Sequence, residues 1–335
     1  MISSGKETVT KKFPVCAHDC TSQYLFFFNM APLFLLYIFT LSLTLYIPTF
    51  IVEANDVENN RVDREYSNRV RFPKTSRRLP NCIIIGVRKC GTRALLEMLN
   101  LHPMIQKAAT EMHFFDKDEN YQNGLDWYRK RMPFSFENQV TIEKTPSYFI
   151  TPQVPERVFS MNNSMKLLLI VREPATRVLS DYAQVAALKK DKGKVVEPFQ
   201  DVVLTPDGKV NTQYKAVRIS IYAKYLRKWL QIFPKEQIHV VNGDMLIEDP
   251  YVEIVKIEKF LGLDHRIQRQ NFYFNKTKGF YCLRNDTSQK CLSESKGRKH
   301  PEVSQEVMSK LRQFYSEYNR QFYNLIEEDF NWPKS

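Results

Sequence analysis

Three short, mainly apolar runs constrain the fold of this chain more than any other feature of its sequence. They occupy residues 82–87 (CIIIGV), 166–171 (KLLLIV) and 237–242 (QIHVVN). A continuous apolar run of this length is typical of a strand buried on both faces of a parallel sheet. Each run therefore predicts one strand of such a sheet.

Helical spacing of apolar residues occurs between and after these runs. It predicts helices over residues 92–100, from about Pro174 onwards, and over residues 217–231, 250–262 and 302–326. Strands that alternate with helices predict a single α/β domain, in which helices flank a central, mainly parallel sheet. The chain has 335 residues and is 43% hydrophobic, which is enough for one large core plus an appendage.

The N-terminal part contains an almost wholly apolar stretch at residues 24–52. This length is sufficient to cross a bilayer with some tilt, so it predicts an uncleaved transmembrane signal anchor. A buried core helix rarely runs so long without charge. A cleaved signal peptide is the other alternative, and its apolar region is usually shorter.

Charges on either side of this stretch predict its orientation. Lysines precede it and acidic residues follow it: Lys6, Lys11, Lys12, Glu53, Asp56 and Glu58. The positive-inside rule places residues 1–23 in the cytosol as a tail and the rest in the lumen, a type II arrangement. Residues 53–79 are highly charged and read as a flexible stem, and residues 80–335 form the lumenal domain.

The formal net charge of +12 predicts a polyanionic partner. Nucleic acid, anionic lipid and acidic polysaccharide all satisfy the charge alone. The sequence has no recognisable nucleic-acid reading motif and no aromatic stacking platform, and the predicted anchor also argues against nucleic acid. No cluster of residues has metal-ligand spacing, so no metal site is predicted.

The loop at residues 86–93 (GVRKCGTR) lies between a predicted buried strand and a predicted helix. Ligands of open α/β sheets bind beyond the carboxyl ends of the strands, and a helix N-terminus attracts phosphate. Lys89, Thr92 and Arg93 can therefore cradle an anionic phosphosulfate. The loop is not a Walker A sequence, because its lysine precedes the glycine and none follows it. An ordinary turn with surface cations is the alternative.

A second candidate segment, residues 171–182 (VREPATRVLSDY), follows the next predicted strand. Arg172 lies where that strand ends, and Ser180 follows about two helical turns later. An arginine plus a hydroxyl group suits a phosphate monoester, such as a nucleotide 3′-phosphate. Taken alone, Arg172 could equally cap a helix or form a salt bridge.

Five motifs together resemble those of one enzyme family. They are GVRKCGTRALLEMLNLHP, EKTPSYF, VREPATRVLSDY, NFYFNKTKGFYCLR and SKGRKHPEV, and they extend from about Asn81 to Trp332. In this order and spacing they resemble the heparan sulfate glucosamine 3-O-sulfotransferases, with most likeness to the isoform-1 and isoform-5 branch. The resemblance implies a P-loop-like sulfotransferase fold in a Golgi membrane enzyme. It also implies transfer of a sulfuryl group from PAPS (3′-phosphoadenylyl sulfate) to the 3-OH of glucosamine in heparan sulfate.

The same resemblance implies a set of PAPS-binding residues. The 5′-phosphosulfate loop, the 3′-phosphate pair and a third loop comprise Lys89, Cys90, Gly91, Thr92, Arg93, Arg172, Ser180, Lys296, Gly297, Arg298, Lys299 and His300. The family usually has glycine at the position of Cys90. A side chain there could crowd the phosphosulfate, or restrict the backbone if φ is positive.

Glu111 matches the catalytic base of the family, and Lys144 matches a lysine beside the reacting centre. A carboxylate would accept the proton of the sugar hydroxyl, while Lys89 and Lys144 would stabilise the developing charge. His113 is the alternative base, and without the resemblance Glu111 would read as a surface glutamate. The positions matching acceptor contacts are Glu111, Met112, His113, Phe114, Phe115, Asp116, Lys117, Lys144, Thr145, Pro146, Ser147, Tyr214 and Lys215.

Lumenal chemistry gives two further expectations. Cys282 and Cys291 are expected to form a disulfide closing a small hairpin-like loop, as in the family. Asn162, Asn275 and Asn285 each begin a glycosylation sequon.

Three other functions compete with this interpretation. The chain could be a sulfotransferase for another position or another glycan, a kinase with a degenerate P-loop, or a non-catalytic heparin-binding membrane protein. The missing Gly-Lys-Ser/Thr argues against the kinase, and the presence of Glu111, Lys89, Arg172 and Ser180 argues against a purely binding role.

Overall fold

A computed structural model describes residues 74–285, 288–292 and 300–335. Its centre is a sheet of five parallel strands in the order β2-β3-β1-β4-β5. The five strands are β1 (Cys82–Gly86), β2 (Ile105–Lys107), β3 (Val140–Lys144), β4 (Lys166–Val171) and β5 (Ile238–Asn242). The predicted α/β class is confirmed, and every described pairing in this sheet is parallel.

Burial explains why the apolar runs became central strands. Every residue of β1 is buried, as is every residue of β4 after Lys166. Successive side chains of a strand point to opposite faces, so both faces of the sheet are covered at its centre. Gly86 ends β1 without a side chain, because a Cβ there would lie 2.7 Å from Phe149 Cβ.

Helices connect and flank the strands. They are α1 (Thr92–Leu99), α2 (Asp118–Tyr121), α3 (Gly124–Arg129), α4 (Val154–Met161), α5 (Pro174–Asp191), α6 (Phe199–Val203), α7 (Lys215–Ile219), α8 (Tyr222–Leu230), α9 (Met245–Glu248), α10 (Pro250–Leu261) and α11 (Gln305–Ile326). Short 3₁₀ turns occupy Tyr148–Ile150, Lys235–Gln237 and Arg269–Asn271.

The single helix predicted over residues 217–231 is wrong, because α7 ends at Ile219 and α8 starts at Tyr222. The break is fixed by Ser220, whose side chain is buried. Its Oγ accepts a hydrogen bond of 2.6 Å from Arg177 Nε and donates one of 3.2 Å to the carbonyl of Pro174. These bonds tie the turn between the two helices to the start of α5.

Two smaller sheets lie outside the central one. Ser76–Arg77 pairs with Phe134–Ser135, and a three-stranded antiparallel sheet is formed by Phe272–Asn275, Phe280–Arg284 and Gln289–Lys290. A disulfide joins Cys282 to Cys291 across the second hairpin of that sheet. The predicted disulfide is therefore confirmed.

The predicted cytosolic tail, anchor and most of the stem lie outside the described residues. Within residues 74–285, 288–292 and 300–335, no helix is long and apolar enough to cross a membrane. The anchor at residues 24–52 and the domain boundaries remain predictions.

Candidate active site

The candidate residues collect at the carboxyl edge of the central sheet. The loop containing Lys89 follows β1, Lys144 is the last residue of β3, and Arg172 follows β4 directly. Because all these strands are parallel, their carboxyl ends meet at one edge, where ligands of open α/β sheets bind. The fold thus brings together groups that are 83 positions apart in sequence, from Lys89 to Arg172.

The loop after β1 has a backbone suited to an anion. Lys89 and Gly91 both have positive φ, at 76° and 101°. Gly91 is the N-cap of α1, no side chain caps this helix, and its first turn contains no acidic residue. The first N–H groups of a helix lack intrahelical partners and carry partial positive charge, so this end of α1 favours an anionic ligand.

Cys90 does not have a positive φ, the backbone conformation in which a side chain at this position would be restricted. Its side chain is 1% exposed and belongs to the hydrophobic core, with Sγ 3.7 Å from the hydroxyl of Tyr222. Burial raises the pKa of the Cys90 thiol to about 11, against smaller opposing effects led by the charge of Arg177. The thiol is therefore a neutral core group beneath the loop, and does not occupy the ligand side.

Replacing Cys90 with glycine should lower the free energy of unfolding by about 1–2 kcal/mol. The change removes a buried side chain and loosens the unfolded backbone, while the loop surface stays the same. Chemical unfolding would measure the loss, and Cys90→Ala is the control that separates side-chain loss from backbone freedom. A marked gain in nucleotide affinity in Cys90→Gly would show instead that the thiol obstructs the loop.

Arg172 is held in place by Asp244. Arg172 Nε donates to Asp244 Oδ1 at 2.9 Å, and Asp244 Oδ2 accepts from the backbone N–H of Glu173 at 2.8 Å and from Trp332 Nε1 at 3.1 Å. Only one edge of the guanidinium is used in this pairing. Its other nitrogens remain able to bind a phosphate, which suits the predicted role.

Other polar groups converge near Arg172. Lys89 Nζ donates to Gln184 Oε1 at 3.0 Å, and Gln184 is one helical turn beyond Ser180 on α5. Burial lowers the pKa of His300, and the charges of Arg172 and Lys89 lower it further. The structure thus brings the predicted cofactor residues Lys89, Arg172 and His300 close together, with Gln184 as a neighbour that sequence reasoning missed.

Arg177 is a further residue that sequence reasoning missed. Its side chain is fully buried, and it donates to Asp181 Oδ2 at 3.0 Å, to the carbonyl of Arg88 at 3.2 Å and to that of Ala216 at 2.6 Å. Asp181 also pairs with Arg88 at 3.1 Å. The pair of Arg177 and Asp181 connects the loop after β1 to α5 and α7. The two residues are four positions apart on a predicted helix, and this spacing was the sequence signal that could have identified the pair.

Glu111 and Lys144 are in direct contact. Lys144 Nζ pairs with Glu111 Oε1, and the Lys144 side chain is 5% exposed while that of Glu111 is 40% exposed. Glu111 Oε2 lies 3.7 Å from His113 Nε2. One carboxylate oxygen therefore faces a buried cation, and the other faces His113 on a side chain that is partly exposed.

His113 is oriented by a second network. Its Nδ1 lies 2.9 Å from Asp116 Oδ2, which also accepts 2.5 Å from Ser147 Oγ. The backbone of His113 has φ of 48°, and its carbonyl accepts from Asn120 Nδ2 at 2.9 Å. A non-glycine residue in this region costs free energy, so these bonds must hold the loop in place.

Below this loop lies a buried carboxyl group that the sequence did not single out. Glu143 is fully buried on β3, and it accepts from the hydroxyl of Thr145, from the backbone N–H of Met112 at 3.3 Å and from Tyr128 at 3.3 Å. Burial raises its pKa to about 7, although these three hydrogen bonds act in the opposite direction. Glu143 therefore anchors the loop of Glu111 to the central sheet.

The remaining predicted acceptor positions fall into two groups. Buried side chains that support the loop are those of Met112, Phe114, Phe115 and Thr145. Half-buried or exposed ones are those of Lys117, Pro146, Ser147, Tyr214 and Lys215. For the first group the side chains cannot reach a sugar from these positions, so their contribution is to hold the loop.

Arg93 and its neighbours form a separate cluster of cations. The buried carboxylate of Glu97 pairs with Arg93 at 2.9 Å, with Lys107 at 2.6 Å and with Lys290 at 3.2 Å. Lys290 belongs to the disulfide hairpin, so Glu97 ties that hairpin to α1. Three cations on one carboxylate leave a net positive charge on this surface.

The other predicted positions are Thr92, the third loop of the cofactor set and the three sequon asparagines. Thr92 is buried at the start of α1, and Lys296, Gly297, Arg298 and Lys299 lie outside the described residues. Asn162 and Asn275 are half-buried and Asn285 is exposed. In the described part of the chain, no group of three or more His, Cys, Asp or Glu side chains could hold a metal ion.

Comparison with known proteins gives three results. The sulfotransferase domain family matches residues 79–326. Heparan sulfate glucosamine 3-O-sulfotransferase 5 of Homo sapiens is 56% identical over 266 residues, covering 79% of this chain and 77% of that protein, and the human 3-O-sulfotransferase 3B1 is 44% identical over 262 residues, covering 77% and 66%. A sulfotransferase structure from Alicyclobacillus acidocaldarius has a TM-score of 0.55 at 18% identity, covering 76% of this chain and 98% of that one, which supports the fold.

Proposed function

Because this chain belongs to the heparan sulfate glucosamine 3-O-sulfotransferase family, we propose that it transfers a sulfuryl group from PAPS to the 3-OH of glucosamine in heparan sulfate. The observation that carries the proposal is the contact of Glu111 with Lys144 at the same sheet edge as the Lys89 loop. One carboxylate for the acceptor and a cationic loop for the donor are the two parts that such a transfer needs.

The residues of the donor side fit the chemistry of PAPS. Its 5′-phosphosulfate would be held by Lys89 and the uncapped N-terminus of α1, and its 3′-phosphate by Arg172 and Ser180. When bound, PAPS supplies an activated sulfuryl group. Asp244 holds Arg172 in advance, so less side-chain freedom would be lost on binding.

On the acceptor side, Glu111 would act as general base. Its Oε1 is paired with Lys144, so Oε2 is the atom that would take the proton from the sugar hydroxyl. Lys144 and Lys89 would stabilise negative charge on the transferring group and on the leaving oxygen. His113, held by Asp116, would position Glu111 and the sugar.

Sulfate transfer from labelled PAPS to heparan sulfate tests this proposal. We expect disaccharide analysis of the product to place the label on the 3-OH of glucosamine. Label at another position would favour a different sulfotransferase activity. Absence of transfer, with binding to heparin retained, would favour the non-catalytic role. A thermal shift with adenosine 3′,5′-bisphosphate, and none with ATP, would separate this enzyme from a kinase.

Removing the 3′-phosphate contacts should weaken PAPS binding. We expect Arg172→Ala and Ser180→Ala each to raise the Kd by about tenfold or more, since a hydrogen bond to a charged group contributes about 1.5–3 kcal/mol. Isothermal titration with adenosine 3′,5′-bisphosphate measures the change, and exposed Arg227→Ala is the matched control. Affinities equal to that of the control would place the 3′-phosphate elsewhere.

We further propose that residues 24–52 anchor the chain in the Golgi membrane, with the sulfotransferase domain in the lumen. The apolar stretch and the flanking charges support this orientation. Glycosidase-sensitive modification of Asn162, Asn275 or Asn285 in cells would support it, and protease accessibility of the domain from the cytosolic side would contradict it.

A further inference from the structure

Two consecutive backbone N–H groups directly after Glu111 are bonded to side chains beneath the loop. The N–H of Met112 donates to Glu143 Oε1 at 3.3 Å and to Thr145 Oγ1 at 3.2 Å. The N–H of His113 donates to Thr145 Oγ1 at 3.4 Å. The position of Glu111 therefore depends on two acceptors at the end of β3.

The direction of the Thr145 hydroxyl depends on the charge of Glu143. Thr145 Oγ1 donates its proton to Glu143 Oε1, which leaves its lone pairs for the two N–H groups of the loop. Tyr128 donates to the other oxygen, Glu143 Oε2, at 3.3 Å. Both oxygens of Glu143 thus accept hydrogen bonds, and this pattern fits an ionised carboxylate, which has acceptors only.

A proton on Glu143 would reverse part of this network. A protonated carboxyl group has an O–H that needs an acceptor, and the hydroxyl oxygens of Thr145 and Tyr128 lie beside it. A bond from Oε1–H to Thr145 would take a lone pair that now serves the N–H of Met112 or His113. The backbone of His113, with φ of 48°, costs free energy, so the loop needs these bonds to keep its shape.

The surroundings of Glu143 bring its ionisation close to neutral pH. Burial raises the pKa of Glu143 to about 7, against the hydrogen bonds that it accepts and the charge of Lys144 next to it on β3. Tyr128 from α3 and Tyr148 from the 3₁₀ turn also face it, and burial raises the pKa of both well above the usual value. The loop itself presents the N–H of Met112. Among these neighbours, the two tyrosines stay neutral while Glu143 changes its charge.

We propose that Glu143 is a positioning residue, whose negative charge holds the loop so that Glu111 faces the acceptor and whose protonation lowers the rate. The inference rests on the proposed function, because it needs Glu111 to be the general base. Glu143 is fully buried, so it acts through Met112 and Thr145 and not by contact with the substrate. The rate thereby depends on pH through a group outside the reacting centre.

The test is the dependence of kcat on pH, measured on the full chain with saturating PAPS and heparan sulfate. A group with a pKa of about 7 that must be ionised gives a roughly tenfold rise in kcat from about pH 6 to about pH 8. We expect this rise in the wild type and less than about a twofold rise in Glu143→Gln. The amide oxygen can still accept from Thr145 and Met112, so the variant should fold.

Two further variants separate positioning from stability. Tyr128→Phe removes a hydrogen bond that favours the ionised form of Glu143, so the rise in kcat should move to higher pH. Glu258→Gln is the matched control, because Glu258 is a buried carboxylate on α10 bonded to His265 and to the N–H groups of residues 266–267. A loss of stability alone lowers kcat by one factor at every pH, so the control should keep the shape of the wild-type profile.

The melting temperature gives a readout that does not depend on activity. The pKa of Glu143 is about 7 in the folded protein and ordinarily 4.5, so the folded state binds more protons between these values. Its contribution to stability is therefore present below about pH 4.5 and is lost as the pH rises through about 7. The melting temperature of the wild type, relative to that of Glu143→Gln, should fall over this interval.

A kcat of Glu143→Gln that rises with pH as steeply as that of the wild type would overturn the proposal. A difference in melting temperature that stays constant with pH would also overturn it, because another group would then titrate. If Glu143→Gln does not fold, an unshifted profile in Tyr128→Phe has the same meaning. If the wild type transfers no sulfate at any pH, the proposed function fails and this inference with it. If it transfers sulfate and Glu143→Gln keeps the wild-type profile, only the inference fails.

Discussion

Replacing Glu111 with glutamine is expected to reduce kcat by about 10²–10⁴-fold, the range that removal of a general base produces. The amide keeps the size of the side chain but cannot accept the proton of the sugar hydroxyl at Oε2. A residue that only binds the acceptor would instead raise KM and leave kcat nearly unchanged. Steady-state rates with PAPS and heparan sulfate would distinguish the two outcomes.

Because Glu111 forms an ion pair with Lys144, the substitution Glu111→Gln can change the stability of the protein as well as its rate. Glutamine would leave a nearly buried ammonium group without its anionic partner, which could lower stability on its own. The melting temperature of Glu111→Gln should therefore be measured beside its rate. His113→Ala is the matched control, since His113 is the other base candidate. If Glu111→Gln kept a near-normal kcat and His113→Ala lost most of it, His113 would be the general base and Glu111 the positioning residue.

Replacing Arg177 with methionine is expected to lower the free energy of unfolding by about 3–5 kcal/mol, as when one partner of a buried ion pair is removed. Methionine fills much of the volume but donates no hydrogen bonds. Asp181 would keep its pairing with the half-exposed Arg88, while the carbonyls of Arg88 and Ala216 would lose a charged donor. Urea unfolding monitored by circular dichroism would measure this loss.

Arg320→Met is the control for this change, because Arg320 forms an exposed pair with Glu317 on α11. Exposed pairs contribute about 0–1 kcal/mol, so the control should remain near wild type. The double variant Arg177→Met/Asp181→Asn should recover part of the loss if the uncompensated carboxylate is its cause. A loss in Arg177→Met no larger than in the control would mean that other contacts fix the loop after β1.

The strands that could be predicted are those whose burial is visible in their own residues. β1 is apolar up to its final glycine and β4 is apolar after Lys166, and the structure has both strands within one residue of the predicted bounds. β2 and β3 were missed. In β3 the buried positions include Glu143 and Lys144, which interrupt an apolar pattern. Their partners come from distant parts of the chain, so no local signal shows that they are inside.

Within the candidate site, it was easier to predict from the sequence which residues lie at the sheet edge than where their side chains point. The ends of β1 and β4 located Lys89 and Arg172 correctly at one edge of the sheet. The inward direction of Cys90 depends on the positive φ values of its two neighbours and on the position of Tyr222. Asp244, which holds Arg172, follows β5 by two residues, and a charged residue at a strand end was the signal available for it.

The hydrogen bond from Trp332 to Asp244 places an intrinsic fluorophore next to the candidate nucleotide site. The indole of Trp332 is 6% exposed and packs on Phe322, while its N–H shares one carboxylate with Arg172. The other two tryptophans lie elsewhere: Trp229 donates to the carbonyl of Phe149, and Trp127 lies under the guanidinium of Arg131. A change in the electrostatic field at Arg172 therefore acts on the indole of Trp332, and the part of the tryptophan emission that comes from Trp332 reports the nucleotide end of the site without any added dye.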